Sequence, residues 1–157
     1  MRKLSNPYNR MSGFSCFGCG VSNPCGLRME FWEEGDDLIC FWDPQDHFQG
    51  YNNILHGGIQ AALIDEIASW VVFWRINTAG VTSRLHITYK NPVYTNQGQI
   101  RLKARLLQGR KRMATIAVEL FNANDELCTT GEAVYYLFSR SESEERFGFR
   151  GKEDLRE

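Results

Sequence analysis

One short segment, HGGIQAALIDE over residues 56–66, combines groups that could act on a carbonyl compound. Gly57 and Gly58 stand where a helix would begin, and the first amides of a helix have no acceptor within it. Without a Cβ, the two glycines would let a ligand approach these amides closely, and the local dipole favours negative charge there. The simpler alternative is that the glycines only relieve a tight junction between loop and helix.

The same segment places a carboxylate, that of Asp65, about two turns into an apolar helix. A charge in such a position is costly unless it is paired or used. The carboxylate could act as a general base on water or as a nucleophile, and the alternative is a salt bridge or a cap within an oligomer. Glu66 points about 100° away, so we interpret it as structural or interfacial. His56 stands at the expected N-cap, where its ring would anchor the preceding loop.

These groups require a long helix and a surface that buries it. Apolar residues at helical spacing predict a helix over about residues 57–76: Ile59, Leu63, Ile67, Trp70 and Trp74. Small apolar residues fill much of the other side, so this helix should be buried nearly all round. Segments rich in apolar or alternating residues predict six strands, at 27–34, 37–43, 81–89, 99–106, 113–121 and 126–138. Two strands, one helix and four strands predict an α+β fold with an antiparallel sheet.

Composition limits the possible functions. The chain has 157 residues, is 43% hydrophobic and carries a formal net charge of -1. One globular domain fits these numbers, whereas a strongly basic nucleic-acid binder does not. The longest apolar stretch is far shorter than the roughly 20 residues needed to cross a bilayer, and the first residues do not resemble a signal peptide. We therefore expect a soluble cytoplasmic protein without membrane insertion.

The chain divides into an N-terminal arm with turns at 1–26, a main domain at 27–139 and a charged tail at 140–157. The arm carries Cys16, Cys19 and Cys25, and the odd total of five cysteines argues against a disulfide framework. A structural zinc site needs four ligands, and a fourth is not evident unless Cys40 or His47 folds in. The sequence therefore predicts no metal.

The sequence resembles the hotdog-fold acyl-CoA thioesterases, in particular the phenylacetate-pathway (PaaI-like) branch. The resemblance lies in the HGG at 56–58, the acidic pair at 65–66, the segment LHITYKNPV at 85–93 and the segment CFGCGVSNPCGLRMEF at 16–31. It covers about residues 14–138. It implies a hotdog fold, with an antiparallel sheet of five to six strands wrapped around one long central helix. It also implies a homodimer, or a tetramer built from two dimers, with active sites at the dimer interface.

The resemblance implies hydrolysis of an acyl-CoA thioester to a free acid and CoA, with no cofactor beyond the CoA of the substrate. It assigns the oxyanion donor to the Gly57 amide and the general base or nucleophile to Asp65, beside His56. Thr82 aligns with a residue that orients water in some members, although a threonine in a strand is also unremarkable.

The chain departs from the family at one position. Some members carry an Asn six residues before the histidine, where this chain has Gly50. Asn52 and Asn53 are close but out of register. Asn53 and Gly58 are the predicted substrate contacts in this loop. Because Gly50 has no side chain, the chain lacks the donor to the thioester that this Asn supplies in those members.

A basic turn is the candidate site for CoA. Arg110, Lys111 and Arg112 lie between two predicted strands. The phosphates of CoA need cations, and arginine can bind phosphate through two parallel hydrogen bonds. The alternative is an ordinary solvated turn.

Two other functions are compatible with the same fold. His47-Phe48 resembles the start of hotdog dehydratases, but the Glu that those enzymes carry fourteen residues later is Ala61 here. A non-catalytic acyl-CoA-binding or ligand-sensing protein is favoured by Gly50, and such a protein would bind without turnover.

Overall fold

The structure, a computed structural model, describes residues 1–156. Its strands are Arg2–Lys3 (β1), Trp32–Glu34 (β2), Asp37–Trp42 (β3), Gly80–Tyr89 (β4), Ile100–Arg110 (β5), Met113–Phe121 (β6) and Leu127–Leu137 (β7). Its helices are Gly57–Val71 (α1), continued by a π-helical turn over Val72–Ile76, and Arg140–Phe147 (α2), with 3₁₀ turns at Pro7–Arg10, Asp46–Phe48 and Lys152–Leu155. The strands form one sheet in the order β1-β2-β3-β5-β6-β7-β4, with every neighbouring pair antiparallel. This is the predicted α+β hotdog arrangement.

The sheet has one strand more than the five to six predicted. The additional strand is β1, in which Arg2 and Lys3 of the arm pair with Glu33 and Trp32. The first predicted strand, 27–34, is conversely shorter than expected, because only Trp32–Glu34 joins the sheet. The apolar residues before it still lie in the core, which explains why their pattern resembled a strand: Leu27, Met29 and Phe31.

Helix α1 is buried by the sheet, which contacts it through β3, β4, β5, β6 and β7. With its π-helical turn it spans the predicted residues 57–76. Leu63, Ile64 and Ile67 are fully buried, and each such side chain contributes about 1.5–3 kcal/mol. Strand β7 comes so close that a Cβ on Gly131 would stand 2.5 Å from the Ile64 side chain. Among the described helices, none has both the length and the apolar character needed to cross a bilayer.

Strand β4 lies at one edge of the sheet and carries a bulge. Its pairing with β7 shifts register between Thr82 and Arg84, so Ser83 is the extra residue. If residues 81–89 alternated strictly, as their sequence predicts, Thr82 would lie on the face of β4 opposite Leu85 and Ile87. The structure shows that this prediction is wrong. The bulge turns Thr82 toward α1, the same side on which Leu85 and Ile87 pack against the core.

The charged tail packs against the domain over its described residues. Helix α2 begins with a capping box, in which the Glu142 amide donates to Ser139 Oγ at 3.2 Å and the Ser139 amide donates to the Glu142 carboxylate at 2.9 Å. Beyond it, Phe149 and Leu155 are buried. The Ser5 amide donates to the Leu155 carbonyl at 2.9 Å, so the two ends of the chain pack together.

The close contact between helix and sheet gives a stability prediction. Gly131→Ala should lower the free energy of unfolding by about 1–3 kcal/mol, because the new methyl group must displace the Ile64 side chain in a packed core. Gly109→Ala on β5 is the matched control, since its added Cβ would meet only Ile76, at 4.0 Å. Urea denaturation of both variants measures the difference. Equal stabilities would contradict this account of the packing.

Candidate functional site

The start of α1 presents an unused hydrogen-bond donor. The His56 ring accepts from the Gly58 amide through Nδ1 at 2.9 Å, and the His56 carbonyl accepts from the amides of Ile59 and Gln60 at 3.0 Å. Within residues 1–156 the Gly57 amide donates to no acceptor. The His56 side chain is therefore placed as an N-cap. Gly57 carries the one amide of this helix start that has no acceptor in the described residues.

The Gly57 position is fixed from the other side by Tyr89. The Tyr89 hydroxyl donates to the Gly57 carbonyl at 2.6 Å, joining the last residue of β4 to the start of α1. A Cβ on Gly57 would lie 3.3 Å from that hydroxyl, and one on Gly58 would lie 3.1 Å from the His56 ring. The two glycines thus fit a crowded helix start, and the free amide is held in one place.

The Asp65 carboxylate is held by two hydroxyl groups. Thr82 Oγ1 donates to Asp65 Oδ1 at 2.8 Å, and the Tyr135 hydroxyl lies 2.6 Å from the same oxygen and 2.6 Å from the Asp65 carbonyl oxygen. Burial, together with the charge of Asp65, raises the pKa of the Tyr135 phenol above its ordinary value, so the phenol remains protonated as a donor. Oδ2 has no partner among the described residues.

In the described part of the chain no Lys, Arg or His lies within ion-pairing distance of Asp65, so the salt bridge or cap within an oligomer stays a prediction. One oxygen of the carboxylate is therefore positioned by neutral donors, while the other is available to bind water or to attack an electrophile.

The Gly57 amide and the Asp65 carboxylate of one chain are far apart. Eight residues of α-helix separate them, which corresponds to about 12 Å along the axis. A reacting carbon must lie about 3 Å from both the base or nucleophile and the oxyanion donor. These two groups of a single chain therefore cannot serve the same carbon.

Glu66 faces away from Asp65, as its place on the helix predicts. It accepts from the Trp70 indole at 3.2 Å and from the Cys16 thiol at 3.7 Å. Burial, with the neighbouring Cys16, raises the pKa of Glu66 to about 7. A hydrogen bond from Cys19 lowers the pKa of Cys16 to about 5, although burial opposes it. The donor atoms of Cys16, Cys19 and Glu66 all lie within 4.8 Å of one another, which is a possible metal-ligand set.

The basic turn lies at the same end of the sheet as the Asp65 cluster. Across the strands, Thr82 pairs with Tyr135, Tyr135 with Ala114, and Ala114 with Gly109, immediately before the turn. Arg112 is held by Glu142 at 3.7 Å and by the Tyr136 hydroxyl at 3.0 Å.

The other two basic residues of the turn are more available. Arg110 and Lys111 are exposed, and neither has a side-chain partner within residues 1–156. Lys111 adopts a left-handed φ of 51° at the tip of the turn.

Asn53 has a turn geometry. Its φ is 61°, its amide donates to the Gln49 side chain at 2.7 Å, and its carbonyl accepts from the Thr95 amide at 2.9 Å. Gly50 lies beside the helix start, since a Cβ there would stand 3.5 Å from the His56 ring. The position lacking the family's Asn is thus close to the Gly57 amide.

An apolar groove of about 480 Å³ runs beside α1. Its aromatic lining comes from the arm, the helix and the tail: Tyr8, Phe14, Trp70, Phe73 and Phe147. Three aromatic residues on or near α1 lie outside this groove: Trp74 donates to Glu33 at 2.8 Å, Phe48 is buried, and Tyr51 is 85% exposed.

Two tyrosines at the site were missed by sequence reasoning. Tyr135 follows the inward alternation of β7, but a buried tyrosine is common and its partner lies 70 residues away. Tyr89 ends the segment LHITY, and nothing local indicates that its hydroxyl reaches the helix start.

Comparison with known proteins finds a family match and similar folds. The model of the thioesterase superfamily matches residues 52–129. The chain is similar to acyl-coenzyme A thioesterase 13 of Mus musculus, with 29% identity over 100 residues, covering 63% of this chain and 67% of the mouse protein.

Two solved structures have a similar fold. Thioesterase superfamily member 2 from Mus musculus is 25% identical with a TM-score of 0.64, covering 71% of this chain and 84% of that one. The PaaI protein of E. coli, from the phenylacetic acid degradation operon, has a TM-score of 0.65 at 14% identity, covering 72% and 81%. The likeness to the PaaI protein concerns the fold alone.

The cap at the helix start can be tested by mutation. His56→Ala should lower the free energy of unfolding by about 1 kcal/mol, because the Gly58 amide loses its acceptor. His56→Asn should restore most of that loss, since asparagine is a good N-cap residue. Urea denaturation measures both variants. Alanine and asparagine variants of equal stability would show that the ring does not act as a cap.

Proposed function

This chain belongs to the thioesterase superfamily, and from this premise we propose that it hydrolyses an acyl-CoA thioester to a free acid and CoA. The observation that carries the proposal is the Asp65 carboxylate, with Oδ1 held by two hydroxyls and Oδ2 without a partner in the described chain. A carboxylate fixed in this way is ready to take a proton from water or to attack a carbonyl carbon.

Asp65 and Gly57 have separate roles in the proposed reaction. Asp65 directs a water molecule at the thioester carbonyl or attacks it first, and the Gly57 amide stabilises the negative charge that develops on the carbonyl oxygen. The C–S bond then breaks, and the CoA sulfur leaves with a proton that comes from the attacking water. If Asp65 attacks first, the acyl group is transferred to its carboxylate as an anhydride, and water then hydrolyses this anhydride to the free acid and restores Asp65. Thr82 and Tyr135 keep the carboxylate oriented throughout, acting as positioning residues.

The site is shared between two copies of the chain. The separation of about 12 Å between Gly57 and Asp65 along α1 supports this arrangement, because a two-fold axis crossing the helices brings the Gly57 of one subunit beside the Asp65 of the other. Strand β4 supports it as well. Among the described strands it pairs with β7 alone. Its ten residues, which include Thr82, therefore leave one backbone edge of the sheet unpaired. Pairing of two β4 edges makes the proposed homodimer, and a tetramer would add a second such dimer.

The basic turn is the proposed binding site for the CoA end of the substrate, and the groove is the proposed site for its acyl end. Arg110 and Lys111 are free to bind the phosphates of CoA at the end of the sheet where Asp65 lies, with Arg112 held behind them. The groove beside α1 is apolar and offers about 480 Å³ for an acyl group. Gly58 and Asn53 border the helix start that receives the carbonyl.

A non-catalytic acyl-CoA-binding protein is the second candidate. The observation that favours it is Gly50, a residue without a side chain beside the His56 ring, at the position where some members carry an Asn. Such a protein would bind acyl-CoA and release no CoA thiol.

The role of Asp65 is tested by turnover. Asp65→Asn should lower kcat by roughly 10²–10⁴-fold, because the amide can neither take a proton nor attack the thioester. CoA thiol release is measured from short aliphatic, long aliphatic and aromatic acyl-CoAs. Glu132→Gln, an exposed carboxylate on β7, is the control and should keep the parent rate. Turnover of Asp65→Asn at the parent rate would exclude Asp65 as the base or nucleophile. If the folded parent showed no turnover, the result would favour a non-catalytic acyl-CoA-binding protein.

The oxyanion role of the Gly57 amide can be isolated with proline. Proline lacks the amide hydrogen, is favoured at the first helical position, and suits the φ of -57° and ψ of 134° at His56 before it. Gly57→Pro should lower kcat by roughly 10²–10³-fold. Gly57→Ala is the matched control, because it adds the same Cβ and keeps the amide. Equal rates in the two variants would exclude the amide as the donor.

The shared site predicts complementation between inactive subunits. Asp65→Asn and Gly57→Pro chains refolded together in equal amounts should recover about a quarter of the parent activity, because half of the dimers are mixed and each mixed dimer has one intact site. Each variant refolded alone is the control. A mixture as inactive as its components, despite exchange of subunits, would show that the site is not shared.

A further inference from the structure

A second cluster of reactive side chains lies on the other side of α1 from Asp65. The arm folds over the helix at Cys16-Phe17-Gly18-Cys19, and the donor atoms of Cys16, Cys19 and Glu66 lie within 4.8 Å of one another. Cys16 Sγ is 3.7 and 3.8 Å from the two oxygens of Glu66. Around a tetrahedral Zn²⁺, sulfur and oxygen ligands are about 3.5 Å apart and two sulfurs are about 3.8 Å apart. The cluster therefore has nearly the spacing that such an ion requires.

The backbone of the arm is shaped around this cluster. A Cβ on Gly18 would stand 2.3 Å from the Glu66 carboxyl group, so only glycine allows the arm to approach the carboxylate this closely. The Gly20 amide donates to the Cys16 carbonyl at 3.1 Å, which closes the turn that carries Cys16 and Cys19.

The charge of Glu66 is not balanced by the described residues. Its contacts there are the Trp70 indole, at 3.2 Å, and the cysteine thiols, and no Lys, Arg or His pairs with it. A largely enclosed carboxylate with only neutral donors is unfavourable. A divalent cation between the carboxylate and two thiolates would remove that cost.

We propose that Cys16, Cys19 and Glu66 bind one Zn²⁺ ion, with the fourth position taken by a water molecule from the groove beside α1. All three residues line that groove, so the fourth position is accessible. Two thiolates favour a borderline or soft ion over Mg²⁺ or Ca²⁺. The ion would fix the arm to the helix one residue after Asp65.

The sequence alone predicted no metal, because no fourth ligand was evident unless Cys40 or His47 folded in. The third ligand is instead a glutamate on α1, 50 residues from Cys16. Cys25 is exposed and lies outside the cluster. Cys40 and His47 are outside it as well, and the site needs neither.

Cobalt provides a direct test, because thiolate-bound Co²⁺ has a charge-transfer absorption. The reduced, chelator-treated full-length protein should bind one equivalent of Co²⁺ with this absorption, and Zn²⁺ should displace it. Cys16→Ser and Cys19→Ser should lose the absorption, and Glu66→Gln should bind about tenfold more weakly or worse, since even outer-shell partners contribute that much. Cys25→Ser, a cysteine of the same arm, should match the parent.

Folding of the variants is checked by circular dichroism on the same samples. Independently of any substitution, Zn²⁺ should protect Cys16 and Cys19 of the folded parent from alkylation and leave Cys25 reactive, as read by mass spectrometry. The proposal is overturned if the reduced parent shows no thiolate–Co²⁺ absorption. Absorption that survives in both Cys16→Ser and Cys19→Ser, or unchanged affinity in Glu66→Gln, would overturn it equally. None of these measurements requires turnover, so they do not depend on the proposed hydrolysis.

Discussion

The enclosure of α1 by the sheet is the constraint on which the rest of the structure depends. Where α1 is enclosed, its polar side chains cannot be left to water, so they need partners from the surrounding strands, loops or arm. Gln60 donates to the Leu55 carbonyl and accepts from Thr129. Asp65 accepts hydrogen bonds from side chains of β4 and β7, and Glu66 accepts one from a cysteine of the arm. The polar side chains of α1 are therefore found where the neighbouring strands, loops or arm supply hydrogen-bond partners.

This enclosure also makes the site rigid. Gly57 is fixed in place because His56 caps the following amide, that of Gly58, and Tyr89 donates to the Gly57 carbonyl. The Asp65 carboxylate is bound to two strands that are paired with each other along their length. The proposed donor and base would thus need little reorganisation, and such preorganisation is a main source of catalytic advantage in sites that stabilise a developing charge.

Much of the fold could be predicted from local patterns, because helical and strand periodicities depend on near neighbours. The extent of the helix at 57–76 and the position of His56 at its cap are examples. The partners of Asp65 could not be predicted in this way. Tyr135 meets it across the sheet, and Thr82 meets it only because a bulge breaks the alternation of β4. Contacts between distant segments depend on register, and a single sequence does not encode register locally.

The bulge at Ser83 makes strand pairing, and not only residue identity, a determinant of the site. If Ser83 instead paired with β7 as an ordinary strand residue, simple alternation would return and the Thr82 hydroxyl would turn away from the carboxylate, even though every side chain of the cluster would remain in the sequence. Two relatives could therefore share all the residues of the cluster and differ in function because one has a bulge in β4 and the other does not. In comparisons between relatives, the pairing of β4 between Thr82 and Leu85 is as informative as the residues themselves.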